Sequence, residues 1–318
     1  MTDTADPLVS VIVRTKDRPE FLQRALRSIT AQTLSRWECI IVNDGGEARR
    51  VDALIAALAP HHAARVTAVH HRESRGRWKS ANAGVLASRA PLITIHDDDD
   101  SWHPAFLETA TGYLKENPER GAVVARIEIV WEEWHGNALA ETGREVFQPH
   151  LHDLLLSDAL LFNRFVPIGF VYRRSLHEDL GLYDESLPVV GDWDFNLKIL
   201  AREPLEFVGE NPLAFWHQRV GTDGAHGNSV ITARSDHEKY DARIRDEALR
   251  AYVAENGLGL VLYLTSFIDR RFVEVEAGIR SEIAAPRRAD HVAERMQRAF
   301  QRLTPWRRHH RHNDFPSG

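Results

Sequence analysis

Four Val/Ile-rich runs, at residues 8–14, 37–42, 65–69 and 91–95, alternate with stretches of helical spacing at 19–32, 47–58 and 77–88. The first run has little apolar/polar alternation, the pattern of a strand buried on both faces, and Pro19 suits the first turn of a helix. Strands separated by single helices run parallel through crossovers, so the pattern predicts an α/β fold with a mostly parallel sheet flanked by helices. Ligands of such sheets sit beyond the carboxyl ends of the strands. Those ends carry Thr15, Lys16 and Asp17; Asn43, Asp44, Gly45 and Gly46; His70 and His71; and His96 followed by Asp97, Asp98, Asp99 and Asp100. The topology therefore brings Thr15, Asp44 and the four-aspartate run to one rim.

Four adjacent carboxylates at the end of a buried strand repel and raise one another's pKa, so their coexistence asks for a cation. Hard divalent ions such as Mg²⁺ or Mn²⁺ take one or two carboxylates together with phosphate oxygens and water. The competing expectation is a solvated acidic loop that caps the helix beginning near His103. A net charge of −6 argues against a nucleic-acid footprint over the whole chain. Cys39 is the sole cysteine, which excludes an intramolecular disulfide and a cysteine metal cage and fits a reducing compartment. The sequence shows neither a secretory leader nor an uninterrupted apolar span of membrane length, so a cytoplasmic protein is expected.

The stretch from Pro7 through "NDGG", then "ANAG", "HDDDDSWHP" and "GDWDF", resembles the family-2 glycosyltransferases of the GT-A fold over residues 7–229. The resemblance implies an inverting transfer from a nucleotide-diphosphate sugar, UDP- or TDP-linked, with Mn²⁺ or Mg²⁺ as cofactor. The acceptor would be a glycan or lipid-linked glycan in bacterial surface polysaccharide or glycoconjugate synthesis. It also implies a Rossmann-like catalytic domain at 1–229, with a nucleotide-binding half at about 1–104 and an acceptor-binding half at 105–229. Asp44 then matches a uracil-binding acid, although Asn-Asp-Gly-Gly is equally a turn sequence. Asp99 matches the metal ligand, Asp97 lies near the ribose, Asp98 fills the variable place and is the one expected to be expendable, and Asp100 is either behind the metal site or a helix cap. Asn82 matches the donor helix, but Ala81 stands where relatives carry arginine. Arg75, Arg77 or Lys79 would then reach the diphosphate, or are solvated helix-face residues. Asp192 matches the second acid of a Glu-Asp motif whose glutamate is replaced by Gly191; it is the expected general base, with N-capping as a compatible role. His217 and His226 are both candidates for a late metal ligand, and Trp102 and Trp193 for lining the sugar site. Residues 221–227 read as a glycine-rich loop that orders over bound donor.

Beyond 104, strands are expected at 122–130, 168–172 and 213–216, and helices at 193–202 and 231–254. A break at Gly257, Leu258 and Gly259 precedes another apolar helix, giving a helical extension at 230–318. Its end, residues 287–312, holds eight arginines against Asp290 and Glu294, with Val292, Met296, Phe300 and Leu303 at helical spacing. Two readings stay open for it: an interfacial helix drawn to anionic membrane, or a helix docked on the catalytic domain or on a second subunit of a homo-oligomer. The alternatives for the whole chain are a nucleotidyltransferase, for which the glycine-rich basic loop is missing from "VIVRTKDRPE", and a non-catalytic glycan- or cation-binding protein.

Overall fold

The Val/Ile runs become strands in which every residue of the first two is buried: β1 (Val9–Thr15) and β2 (Trp37–Asp44). In this computed structural model the described backbone comprises residues 6–136, 138–219 and 234–303. Between the first strands lies α1 (Pro19–Thr30), which turns Phe21, Leu22, Ala25, Leu26 and Ile29 inward at helical spacing. Then follow α2 (Ala48–Ala56), α3 (Pro60–Ala63), β3 (Val66–His71), α4 (Arg77–Ala87) and β4 (Leu92–Asp97). Each of these strands reaches one or two residues farther than its apolar run, so the polar strand-end residues belong to the ladder. β1 pairs in parallel with β2 and with β4, and β2 with β3. Gly84 explains how closely α4 sits on the sheet: a Cβ there would lie 2.3 Å from Cγ2 of Ile12.

The chain continues through β5 (Ser101–Trp102), α5 (Phe106–Glu116), β6 (Ala122–Ala125), β7 (Ile127–His135), β8 (Ala138–Val146), β9 (Asp153–Leu154) and α6 (Leu156–Ala159). It goes on through β10 (Phe170–Arg173), α7 (Ser175–Leu180), α8 (Gly191–Leu200), β11 (Leu205–Val208) and β12 (Ala214–Arg219). The main sheet has eight strands in the order β3-β2-β1-β4-β10-β6-β11-β9, and a second has the order β5-β12-β7-β8. The run expected as one strand at 122–130 is divided between β6 and β7, which belong to different sheets. Strand order reverses between β1 and β4, so the ligand crevice of an open α/β sheet falls beside their carboxyl ends.

The described residues form two compact units divided between Arg245 and Asp246. The expected boundary at 229 lies outside the described residues. A helix at Arg234–Asn256 packs Tyr240 and Ile244 against the core of the first unit. The second unit holds the helix Gly259–Leu303, whose exposed side chains include Leu264, Phe267, Ile268, Phe272 and Val275. Among the described residues no helix is long and apolar enough to cross a membrane. Of the basic segment 287–312, residues 304–312 lie outside the described residues.

Candidate active site

Sheet register fixes the rim. Arg14 stands opposite Asp97, Thr15 opposite Asn43, and Asp44 opposite His71. The adjoining crevice is lined by Thr15, Asp17, Arg18, Asn43, Glu47 and Arg50, among others. The backbone turns sharply out of β1 at Asp17 (φ 52°), a conformation Asp tolerates, and Asp17 Oδ1 accepts the Glu47 N–H at 2.9 Å.

Each aspartate of the run meets its own partner. Arg14 donates to Asp97 through Nε at 3.1 Å and through Nη2, Arg18 likewise to Asp98 through Nε at 3.2 Å and through Nη2, and Arg219 to Asp99. Asp98 also accepts the Thr15 hydroxyl at 2.7 Å, and Asp100 the backbone N–H of His217 at 2.9 Å. Burial would raise the Asp97 pKa, but Arg14 and Arg77 outweigh it and leave it lowered. For Asp98 burial wins, helped by the charge of Asp99, and its carboxyl is pushed up despite Arg18. Two expectations are corrected here. Asp98 is not a variable loop position but a fully buried anchor between β1 and β4, and Asp100 caps no helix, because its oxygen holds the backbone of β12.

Arg219, itself fully buried, also reaches Glu132 at 3.3 Å and lies over the Phe21 ring at 4.5 Å. Glu132 accepts from Arg24 at 2.7 Å and faces His217 Nδ1 at 2.9 Å. Burial acts against ionisation of Glu132, yet His217 and Arg24 hold its pKa at about 2. His217 Nε2 faces the Ser101 hydroxyl at 2.8 Å. Both ring nitrogens are thus engaged within protein, which removes His217 from the expected metal ligands. His226 lies outside the described residues, as do 221–227.

Asp44 is filled in a way the sequence did not show. Its two oxygens take His71 at 2.9 Å, the Ser74 hydroxyl at 2.7 Å and the backbone N–H groups of Arg75 at 2.8 Å and Gly76 at 3.0 Å. Burial opposes the charge, but these four bonds hold the Asp44 pKa well below the usual carboxylate range. Four donors occupy the four lone-pair positions of a carboxylate, so Asp44 shapes the loop before α4 and has no spare acceptor for a uracil imide. Asn82 is corrected likewise: its amide nitrogen donates to the Tyr183 carbonyl at 2.9 Å and to Glu185 at 3.0 Å, while its oxygen accepts the Tyr183 N–H at 3.0 Å. It ties α4 to the segment before α8. The Arg75 side chain is exposed and Lys79 half-buried. Arg77 is the α4 cation among Asp97, Asp192 and Asp99, and burial, with Arg14 nearby, lowers its pKa.

Asp192 lies in the first turn of α8, with Val190 as the residue before the helix. Val190 has φ 57° and ψ 12°, a left-handed conformation strained for a β-branched residue, and such strain concentrates at functional sites. Asn163 Nδ2 donates to Asp192 Oδ2 at 2.9 Å and its own oxygen is held by Asn196 at 3.0 Å. Burial raises the Asp192 pKa against the pull of Arg77 and Arg14. Gly191 leaves room for Trp78: a Cβ at 191 would lie 2.7 Å from the indole Nε1. Asp192 is therefore no N-cap, whereas Asp194 is paired with Lys198 at 2.7 Å.

Trp102 and Trp193 line no open site. Trp102 stacks on Phe106 at 4.5 Å and donates to the Ile168 carbonyl at 2.6 Å; Trp193 donates to the Ala159 carbonyl at 2.8 Å. Both are buried. The residues missed from sequence are Arg14, Arg18, Arg24, Glu132, Asn163 and Arg219. Arg14 and Arg18 flank the end of β1, where the rim rule already pointed; nothing in the sequence marked the others.

Among the described residues no three His, Cys, Asp or Glu side chains are arranged to hold a metal alone. Asp97 is nevertheless 31% exposed, with Arg14 on Oδ1, and Arg219 and Arg18 approach Asp99 through Oδ2. A hard cation held by Asp97 and Asp99 would take its other ligands from phosphate and water. The donor set fits such an ion only together with a phosphate-bearing ligand.

An open, mostly parallel α/β sheet with an acidic cluster at its strand ends has the ligand-site layout of the doubly wound α/β class. The model of "Glycosyl transferase family 2" matches residues 10–181, more than half of the chain. The chain belongs to that family. It is 30% identical over 190 residues to the uncharacterized glycosyltransferase YwdF of Bacillus subtilis, covering 60% of this chain and 67% of YwdF. It is 31% identical over 103 residues to the putative colanic acid biosynthesis glycosyl transferase WcaA of Escherichia coli, covering 32% and 36% of the two chains. Among solved structures, S. aureus TarS 1–349 in complex with UDP-GlcNAc superposes with a TM-score of 0.52 at 16% identity, covering 79% of this chain and 75% of that one. The mannosyltransferase PcManGT from Pyrobaculum calidifontis, in complex with GDP-Man and Mn²⁺, gives 0.51 at 18% identity, with 85% and 81% covered. These likenesses show the fold.

Proposed function

We propose that the protein transfers a sugar, with inversion, from a nucleotide-diphosphate sugar to a hydroxyl of a glycan or glycoconjugate, with Asp192 as general base. The observation that carries this reading is Asp192 itself: a carboxyl with a raised pKa, fixed by Asn163 and sharing Arg77 with Asp97 and Asp99. The acceptor oxygen attacks the anomeric carbon, the bond from that carbon to the diphosphate oxygen breaks, and the hydroxyl proton passes to Asp192. Asn163 holds one carboxylate oxygen so that the other addresses the acceptor. Arg77, beside Asp97, supplies positive charge where the diphosphate departs. Mn²⁺ or Mg²⁺ held by Asp97 and Asp99 would neutralise charge on that leaving group. TarS with UDP-GlcNAc and PcManGT with GDP-Man and Mn²⁺ support the donor class and the ion, and the WcaA likeness supports surface-polysaccharide synthesis.

The test is hydrolysis and transfer across UDP-, dTDP- and GDP-sugars with Mn²⁺. Turnover of at least one donor is expected, and Asp99→Asn should weaken Mn²⁺-dependent nucleotide binding. Calorimetric binding of every nucleotide without any turnover would favour a binding module instead.

A further inference from the structure

The helix Gly259–Leu303 of the second unit carries an eleven-residue repeat. Val261, Leu264 and Ile268 recur eleven residues later as Phe272, Val275 and Ile279. At 3.6 residues per turn all six positions fall within an arc of about 80°, along about 27 Å of one side of the helix. The stripe is open: Leu264 is 43% exposed, Ile268 49%, Phe272 70%, Val275 56% and Ile279 53%, with Val261 half-buried. Single exposed apolar residues mean little, but a contiguous row of this kind is unfavourable in water unless it is covered.

The spacing gives the shape of the cover. Eleven residues make three turns of about 3.67 residues, so the seam keeps to one side of a nearly straight helix, and a second helix can lie along its whole length. The charges beside the seam identify that helix. On the helical projection Arg271 lies on one flank and Glu276 on the other, five residues farther along. In two parallel copies in register this offset sets Arg271 of each chain against Glu276 of the other, on both sides of the seam, whereas antiparallel copies bring like flanks together. Both side chains are exposed and pair only along their own helix, Arg271 with Glu274 at 2.7 Å and Arg280 with Glu276 at 2.6 Å. An anionic membrane lacks such complementarity: residues 259–281 hold Asp269, Glu274 and Glu276 against Arg270, Arg271 and Arg280, so their charges cancel, while interfacial helices carry a basic polar face. We infer that two copies of this chain associate through a parallel pairing of the stripe at 261–279.

Sedimentation equilibrium of the full chain should give the mass of two chains, with circular dichroism as the check on helix content. Val275→Asp, inside the seam, should weaken the association by about thirtyfold or more. Leu262→Ser, at a leucine 63% exposed but off the stripe, should change it by less than about threefold. Arg271→Glu and Glu276→Arg should each weaken it by about three- to tenfold, and the double variant should return to within about threefold of wild type. That recovery separates the two sources of charge pairing, because the double variant breaks both pairs within the helix and restores only those between copies. A single-chain mass at every concentration, equal losses from Leu262→Ser and Val275→Asp, or a double variant no tighter than the single ones overturns the inference. A single-chain mass together with co-sedimentation on phosphatidylglycerol vesicles, abolished by Val275→Asp, would assign the stripe to a lipid surface and also overturn it.

Discussion

Gly191→Ala tests how the proposed base is positioned. The added Cβ would lie 2.7 Å from Cε2 and Nε1 of Trp78 and 2.9 Å from Cδ1, well inside an optimal carbon contact. Trp78 has little room to retreat, because Tyr183 stacks on it at 5.1 Å, the Arg14 guanidinium lies 5.0 Å from its ring, and the residue is buried. Overpacking of this kind costs about 1–3 kcal/mol. Gly191 is not among the positive-φ residues, so alanine adds no backbone strain, and its better helix propensity returns at most about 1 kcal/mol. With the full return the net loss is about 0–2 kcal/mol, centred near 1, which for a unit of this size lowers the melting temperature by roughly 2–4 °C. Scanning calorimetry of Gly191→Ala, Trp78→Leu and the double variant forms a mutant cycle. In the Trp78→Leu background the alanine should cost less than about 0.5 kcal/mol. An equal loss in both backgrounds, or no loss beside Trp78, would show that the indole does not occupy the space of a side chain at 191.

Asp192→Asn is expected to retain nucleotide binding and lose transfer; near-normal transfer would remove Asp192 from the base role. Because burial raises the Asp192 pKa, the acid limb of the transfer rate should fall above the ordinary carboxyl range of about 4, and a limb at that value would contradict the burial argument. A raised folded pKa means that the stabilising contribution is present at low pH, below the unfolded pKa, and is lost as pH rises through the folded pKa. Asp192→Asn should therefore melt no lower than wild type at neutral pH, and a clear drop would refute that sign. Arg219→Gln leaves the buried Asp99 and Glu132 without their shared counter-charge. Breaking such a pair costs about 3–5 kcal/mol, and an unchanged denaturation midpoint would show that Arg18 and Arg24 suffice.

The parallel sheet was legible because strands buried on both faces must be continuously apolar, as in 8–14 and 37–42. The rim was legible because topology alone puts strand ends together. Arg219 was not, since its pairing with Asp99 spans 120 residues and nothing local to "WHQRV" announces it. Trp102 and Trp193 misled through adjacency: a residue beside a site aspartate points elsewhere on a strand or helix, here into the core. Asp44 and Asn82 have the residue types expected of ligand contacts, but the loop at 74–76 and the chain at 183–185 use up their hydrogen-bonding capacity.

The Asp99–Arg219 pair also bears on the order of assembly. The acidic run leaves the ribosome within the first hundred residues, while Arg219 ends the last strand of the second sheet. Strands β1 to β4 can pair beforehand, with Arg14 and Arg18 already beside Asp97 and Asp98. Asp99 has only Arg18, at 3.5 Å, until β12 docks and brings Arg219, a contact of high sequence separation and high loop-closure entropy. The acidic rim is thus completed late in synthesis, and a fragment ending at residue 104 would present Asp99 with Arg18 as its sole arginine partner.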